Sequence, residues 1–335
     1  MTRSFSPYVG FIGSIILLGS LHSLLVACHK SNAPVVSTDT VINIPPNMPP
    51  PATQSNPPLT DTLFGNGVDL QPSYYNGGNV TFGFSLMQQS PNIKSVRIEI
   101  EPGVPISVAA SWIQQARTSG YRVIATYHKY TVLGSDLTSD LTDGANWWVA
   151  NYSTLAVAGS FTINLMNEWG SHNLTSKQYA TAYNSAIAIV RQVYQGPIIL
   201  DCSGYGQETS IAADAVTGTG TGGTKITDTN IILSAHIYPN GYNQAHGHTF
   251  QQSDLDDLAA SGRACIVGEF GNSPTGSVDW MGMVNYAKSK KWAVLGWAWN
   301  GDGGTMNMAS PAWDSTATAA SYSQSAYFSV IYALL

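Results

Sequence analysis

The 335-residue chain is poor in charge, with charged residues at 10% against roughly 25% in ordinary soluble domains. Its polarity comes instead from Ser, Thr, Asn, Gln and Gly, which suit neutral hydrogen-bonding ligands better than ionic ones. Lys and Arg number 14 against 20 acidic residues, a formal net charge of −6, and no long basic run occurs. Such a chain lacks the electrostatic footprint of a nucleic-acid partner, and aromatic stacking without a basic groove would leave phosphates unpaired. Also missing are a Gly-x-Gly-x-x-Gly after an early strand, the dinucleotide fingerprint, and a His-Glu-x-x-His, the common zinc-hydrolase motif. No cofactor and no metal are expected. No repeat of 20 to 50 residues is visible, so a propeller or solenoid is not indicated. What is present is apolar material: hydrophobic residues at 44% and aromatics at 10% are ample for a core and exclude a wholly disordered chain.

The first 28 residues read as an address. Arg3 precedes an apolar stretch from Val9 to Ala27, which ends Leu25-Val26-Ala27-Cys28. The pattern fits a signal peptide better than a single transmembrane anchor. Its end resembles the lipobox of bacterial lipoproteins, in which the cysteine at Cys28 is acylated and becomes the new N-terminus. Attachment to the bacterial cell envelope through lipid alone is the expectation. Residues 29–60 are rich in Pro, Ser, Thr and Asn, with Pro45-Pro46, Pro49-Pro50-Pro51 and Pro57-Pro58, and read as an extended spacer. Residues 61–335 form the remaining domain.

Within that domain, short β-branched or apolar runs alternate with amphipathic stretches. Strands are expected at Gly67–Leu70, Ser95–Ile100, Arg122–Tyr127, Phe161–Met166, Ile198–Asp201, Ile231–Ile237, Ala264–Gly268 and Ala293–Trp297. Helix-like segments lie between them, at Ser107–Ser119, Ser139–Val157, Ser176–Tyr194, Ser253–Ala260 and Trp280–Lys290, with a last one at Ala320–Leu334. Ser119-Gly120 and Ser261-Gly262 have the composition of helix stops. Eight strand–helix units in this length predict an α/β fold, a closed (β/α)₈ TIM barrel, with an open doubly wound sheet as the alternative. The first unit is the least regular, interrupted by Tyr74-Tyr75-Asn76-Gly77-Gly78. Of the other cysteines, Cys202 is expected at the exit of one strand and Cys265 at the entrance of another, at opposite ends of the barrel and unbridged.

In such a barrel the working residues stand at the C-terminal strand ends. Those ends read Tyr127-His128, Asn167-Glu168, His236-Ile237-Tyr238, Gly268-Glu269-Phe270-Gly271 and Trp297-Ala298-Trp299-Asn300, with Arg97 in the second strand. Two carboxylates on one rim, Glu168 and Glu269, are what glycoside hydrolysis requires. Arg97 or His128 beside Glu269 would favour its charged form, and an indole face at Trp299 offers a floor for a sugar ring. Each residue has a plainer reading. A lone Glu at a strand end is usually a solvated charge, Arg97 can be the structural partner of Glu99 or Glu101, and His236 can be a satisfied core histidine. Trp297 and Trp299 share a face by alternation, and at least one of them reads as packing. Their conjunction on one rim favours chemistry.

At these residues the chain resembles the cellulase family, glycoside hydrolase family 5, over about Leu63 to Asp314. The carrying motifs are Ile163-Asn164-Leu165-Met166-Asn167-Glu168, Ala235-His236-Ile237-Tyr238 and Ile266-Val267-Gly268-Glu269-Phe270-Gly271. The segment from Leu295 to Gly304 is similar to the last-strand motif of bacterial β-mannanases. The resemblance implies Glu168 as acid/base and Glu269 as nucleophile of a retaining, endo-acting hydrolase of β-1,4-glucan or β-1,4-mannan. It implies Asn167 on the sugar 2-hydroxyl, His236 and Tyr238 flanking the nucleophile, Arg97 holding its charge, His128 as a third-strand substrate contact and Trp299 flooring the cleavage subsite. A polysaccharide is then the partner, and a monomer is expected. Two other classes compete. A non-catalytic glycan-binding lipoprotein would keep the barrel without needing both glutamates. A metal hydrolase would use His128, His236, His246 and His248.

Overall fold

The computed structural model describes residues 59–335; the leader, the lipidation position Cys28 and residues 29–58 of the spacer lie outside the described residues. Eight parallel strands close into a barrel. They are β1 Gly67–Leu70, β2 Ser95–Ile100, β3 Arg122–Tyr127, β4 Thr162–Asn164, β5 Ile198–Asp201, β6 Ile231–Ile237, β7 Ala264–Phe270 and β8 Ala293–Asn300. Five of them have the bounds expected from sequence, because a strand buried on both faces is a near-continuous apolar run and stands out from its surroundings. β4 is shorter than expected, although Leu165 N still donates to Ile199 O and Asn167 N to Tyr127 O, leading the chain on to Glu168. β7 and β8 run further, so that Glu269 belongs to the strand itself.

The outer helices follow from apolar spacing. In Thr138–Ala158 the residues Leu141, Ala145, Trp148 and Leu155 are buried along one stripe, and Trp148 Nε1 donates to Leu165 O at 2.9 Å. Helix Ser176–Val190 starts at a capping box of Thr175 and Gln178, and buries Tyr179, Tyr183, Ala186 and Val190. Gly120 and Gly262 follow the expected helix stops with φ of +92° and +69°. Thr209–Thr217, between β5 and β6, is a helix beyond those expected from the sequence. The last helix covers only Ala326–Tyr332, since Ser323–Gln324 pairs antiparallel with Ala309–Ser310 and Ser325 caps the turn that follows. The irregular first unit has a single helical turn, Phe84–Met87.

Inside the barrel, Ile124, Ile199, Ile232, Ala264, Ile266, Ala293 and Leu295 form an apolar cluster with Phe64. Phe64 arrives on the short helix Thr60–Leu63. Thr60, at the boundary drawn for the spacer, is buried and belongs to the fold: its hydroxyl donates to Cys265 O at 2.6 Å and accepts from Ala293 N at 2.9 Å. Cys202 and Cys265 are free and buried. Asp201 pairs with Ser234 and Ser234 with Ile266, so the two cysteines differ by only about two residues in height. They do not occupy opposite ends of the barrel.

Candidate active site

Along β7, strict alternation from the inward Ile266 would turn Glu269 out of the barrel. It does not, because the register slips by one: Ala235 pairs with Val267 but His236 pairs with Glu269. This bulge inserts Gly268 and reverses the facing of everything after it. Only glycine fits there, since a Cβ would lie 2.2 Å from Ser234 Oγ. Glu269 therefore points inward, and one of its oxygens accepts from Tyr238 Oη at 2.8 Å.

Glu168 follows β4 with φ +47°, a left-handed conformation that costs a non-glycine residue about 1–3 kcal/mol unless its surroundings hold it. Two backbone bonds hold it here: Glu168 N donates to Asp201 Oδ2 at 3.1 Å and Glu168 O accepts from Gly134 N at 2.8 Å. Its carboxylate contacts His236 Nδ1 at 2.8 Å. One oxygen of Glu168, one of Glu269 and a ring nitrogen of His236 lie within 4.8 Å of one another.

Beneath them, the fully buried Arg97 saturates its guanidinium. Nη1 donates to Glu99 at 2.6 Å, Glu269 at 2.9 Å and Asp69 at 3.2 Å. Nη2 donates to Asn167 Oδ1 at 2.5 Å and Nε to Asn164 Oδ1 at 3.1 Å, while Asp201 stands 3.6 Å away. Both readings of Arg97 thus hold, since it pairs with Glu99 and with Glu269. Burial alone would raise the Glu269 carboxyl, but the His236 and Arg97 charges and the Tyr238 hydroxyl together hold it below the usual carboxylate range. Burial also opposes charge on His236, yet Glu269 and Asp201 outweigh it and keep that imidazole protonated well above its ordinary range. Neighbouring acids are displaced the other way, with Glu99 pushed up to about 7 and Asp69 well above normal, burial being the main cause in each.

His236 is closer to Glu168 than to Glu269, 2.8 against 3.7 Å, so it is mainly a partner of Glu168, and of the two residues His236 and Tyr238 it is Tyr238 that hydrogen-bonds Glu269. His128 does not reach Glu269. It lies between Glu99, 3.3 Å from Nε2, and Glu101, 2.7 Å from Nδ1, with Tyr74 Oη at 3.1 Å from Nδ1, and it lines the cleft above them.

The cleft has a volume of about 500 Å³, and Asn167, Glu168, Glu269, Tyr238 and His128 line it. Trp299 does not. It is fully buried, with its Nε1 donating to Phe82 O at 2.7 Å and its ring edge-on to Phe328, so it packs behind β8. The indole on the cleft is Trp297, which donates to Asp302 at 3.0 Å. Gly296 pairs with Val68 but Asn300 with Leu70, four residues of β8 against two of β1, so alternation fails across the two tryptophans.

Sequence reasoning passed over several residues. Asp201 ends β5, and the strand-end rule applied there would have found it. Tyr74 and Tyr75, which break the first unit, enter the cleft wall, as do Tyr130, Tyr205 and Gln207 from the connections that follow β3 and β5. Tyr74, Tyr130 and Tyr205 are 48%, 67% and 43% exposed, a rim of rings above a polar floor. The spacing of Glu168, Glu269 and His236 would admit a cation, but Arg97 already places positive charge on Glu269.

The chain is similar to several characterised proteins. It is 26% identical over 235 residues to the beta-mannanase/endoglucanase A of Caldicellulosiruptor saccharolyticus, covering 64% of this chain and 16% of that protein. With the mannan endo-1,4-beta-mannosidase of Cellvibrio japonicus (strain Ueda107) it shares 23% identity over 64% of this chain and 50% of the other. The chain thus spans half or less of the length of these curated relatives. Among solved structures, the catalytic domain of mannanase from Streptomyces sp. SirexAA-E superposes with a TM-score of 0.61 at 18% identity, over 88% of this chain and 95% of that one. The β-mannanase from Thermomonospora fusca gives 0.62 at 20% identity, over 80% and 88%; at these identities the likeness concerns the fold. The sequence model of the family described as cellulase (glycosyl hydrolase family 5) matches residues 101–303, more than half of the chain, from the end of β2 to beyond β8. The chain belongs to glycosyl hydrolase family 5, the cellulase family.

Proposed function

We propose that the protein is a retaining, endo-acting glycoside hydrolase of β-1,4-linked polysaccharide, with mannan favoured over glucan. The observation that carries the reading is the approach of Glu168 to Glu269, oxygen to oxygen within 4.8 Å. Retaining enzymes place their carboxyls about 5–5.5 Å apart, whereas inverting ones leave about 6.5–9.5 Å for a water molecule. Glu269, held ionised by His236, Arg97 and Tyr238, attacks the anomeric carbon. Glu168 protonates the bridging oxygen, which leaves with the departing chain, and then takes a proton from the water that cleaves the glycosyl–Glu269 ester. The protonated His236 lies against Glu168 and Asn167 faces the sugar. The preference for mannan rests on the last-strand motif and on the names of the relatives.

The test is release of reducing ends from galactomannan and from carboxymethylcellulose, with the product anomer followed by NMR in the first minutes. Retained configuration is expected, as is a loss of about 10²-fold or more for Glu168→Gln and Glu269→Gln. An inverted product, or wild-type turnover in either variant, rejects the assignment.

We further propose that the protein is carried on the bacterial envelope by lipid at Cys28, with the chain between Cys28 and Thr60 as the spacer. The support is the residue pattern of the leader. Mass analysis of the mature N-terminal peptide should find acylated Cys28, and Cys28→Ser should move the protein to the soluble fraction; an unmodified Cys28 within an uncut chain refutes it.

A further inference from the structure

The connection from β6 to the helix Gln252–Ala260 forms a small hairpin, Tyr242–Asn243 against His248–Thr249, which puts two histidines over the first turns of that helix. Asp254 and Asp257, three apart, share the helix face beneath them. We propose that His246, His248 and Asp254, whose ligand atoms lie within 4.8 Å of one another, form a binding site for a divalent transition-metal ion, best suited to Zn²⁺, separate from the catalytic pair.

The three side chains supply three positions of a tetrahedral set, and water can fill the fourth. Metal–ligand bonds of about 2.0–2.1 Å imply ligand atoms about 3.3–3.4 Å apart. His246 Nδ1 stands 3.2 Å from Asp254 Oδ1 and 3.5 Å from Asp257 Oδ2, and His248 Nε2 stands 3.7 Å from Asp254 Oδ1. Hydrogen bonding within the group explains only part of this. Asp257 Oδ2, 3.5 Å from His246 Nδ1, has no hydrogen-bond partner, while the Asp257 side chain is 38% exposed and adds negative charge beside the site.

The surrounding bonds orient the group as a ligand shell is oriented. His248 Nδ1 donates to Thr249 O at 2.9 Å, which fixes the tautomer that leaves a lone pair on Nε2. Asp254 is fully buried; its Oδ1 accepts from Asn243 Nδ2 at 3.0 Å and its Oδ2 from Gln251 N at 2.8 Å. Gln251 Nε2, 3.3 Å from His248 Nε2, is the contact an ion would displace. Asp254 as a ligand and Asp257 beside it offset the charge of a dication, and both histidines are about a third exposed, so an ion can enter from solvent. The role is structural: Tyr242 N donates to Gln207 Oε1 at 2.9 Å, and Gln207 lines the cleft, so an ion would tie this wall to the helix.

The test is calorimetric titration of the untagged, chelator-stripped full-length protein with ZnCl₂, alongside thermal melts. One Zn²⁺ per chain is expected at this site, with a higher Tm when bound. His246→Ala and His248→Ala should each weaken it by about tenfold or more, and Asn243→Ala by about 10–100-fold. Melts without zinc verify that these variants fold. His172→Ala and Glu269→Gln should leave the affinity unchanged, which separates this site from the catalytic group. Absence of saturable binding, or affinity unaltered in His248→Ala, overturns the proposal.

Discussion

An arginine taken out of water costs several kcal/mol unless its charge is matched and its donors are used. Arg97 meets both conditions with Asp69, Glu99, Glu269, Asn164 and Asn167. The sequence showed Arg97 as a partner for either Glu99 or Glu269; that it serves both follows from the inward alternation of β1 and β2, where Asp69 pairs with Arg97. Glu168 and Glu269 were legible as residues that end strands. The tryptophans were not, because alternation is a rule for regular pairing and β8 is irregular there. Trp299→Ala should therefore cost about 3–5 kcal/mol of stability, as for a large core residue. Trp297→Ala should raise KM several-fold with Tm close to wild type, as for a ring that stacks on sugar. Melting curves and initial rates on the two variants distinguish them; a lowered Tm in Trp297→Ala with Trp299→Ala unaffected would reverse the assignment.

At the scale of elements, the strands could be found in the sequence because burial on both faces leaves a continuous apolar signature. The bulge at Gly268 could not be placed, although a glycine inside a strand is its usual mark. A second close approach lies after β5, where Gly204, Tyr205 and Gly206 run at positive φ. A Cβ at Gly206 would meet His236 Cβ at 2.5 Å and its backbone N at 2.7 Å. Gly206→Ala must push on β6 beside the residue that holds Glu168. Displacements near 1 Å at reacting groups cost about 10²-fold, so kcat should fall by that order while circular dichroism stays native. Unchanged kcat in a folded variant would show that this packing does not set the position of His236.

For the whole molecule, low charge and a neutral ligand go together. The ion pairs that matter lie inside the barrel, where salt screens little, and the rim above them is largely phenolic. KM for galactomannan should therefore change by less than about twofold between dilute buffer and about 0.5 M NaCl, where exposed charges are screened beyond a few Å. A steep salt dependence measured by initial rates would mean that surface charge steers the substrate. The barrel itself was readable from eight alternating units, but the loops that furnish the cleft were not. Tyr74, Tyr130 and Tyr205 come from segments without periodicity, and only the closed barrel brings them together.

Asn167 has a two-sided amide, and Arg97 occupies one side: the guanidinium donates to its oxygen. Left to face the cleft is the NH₂ group, which can give a proton but accept none. A sugar oxygen meeting Asn167 must therefore act through a lone pair, so a fluorine in its place retains part of the contact and a hydrogen retains none. The orientation of one amide thus decides which analogues the cleft can tell apart.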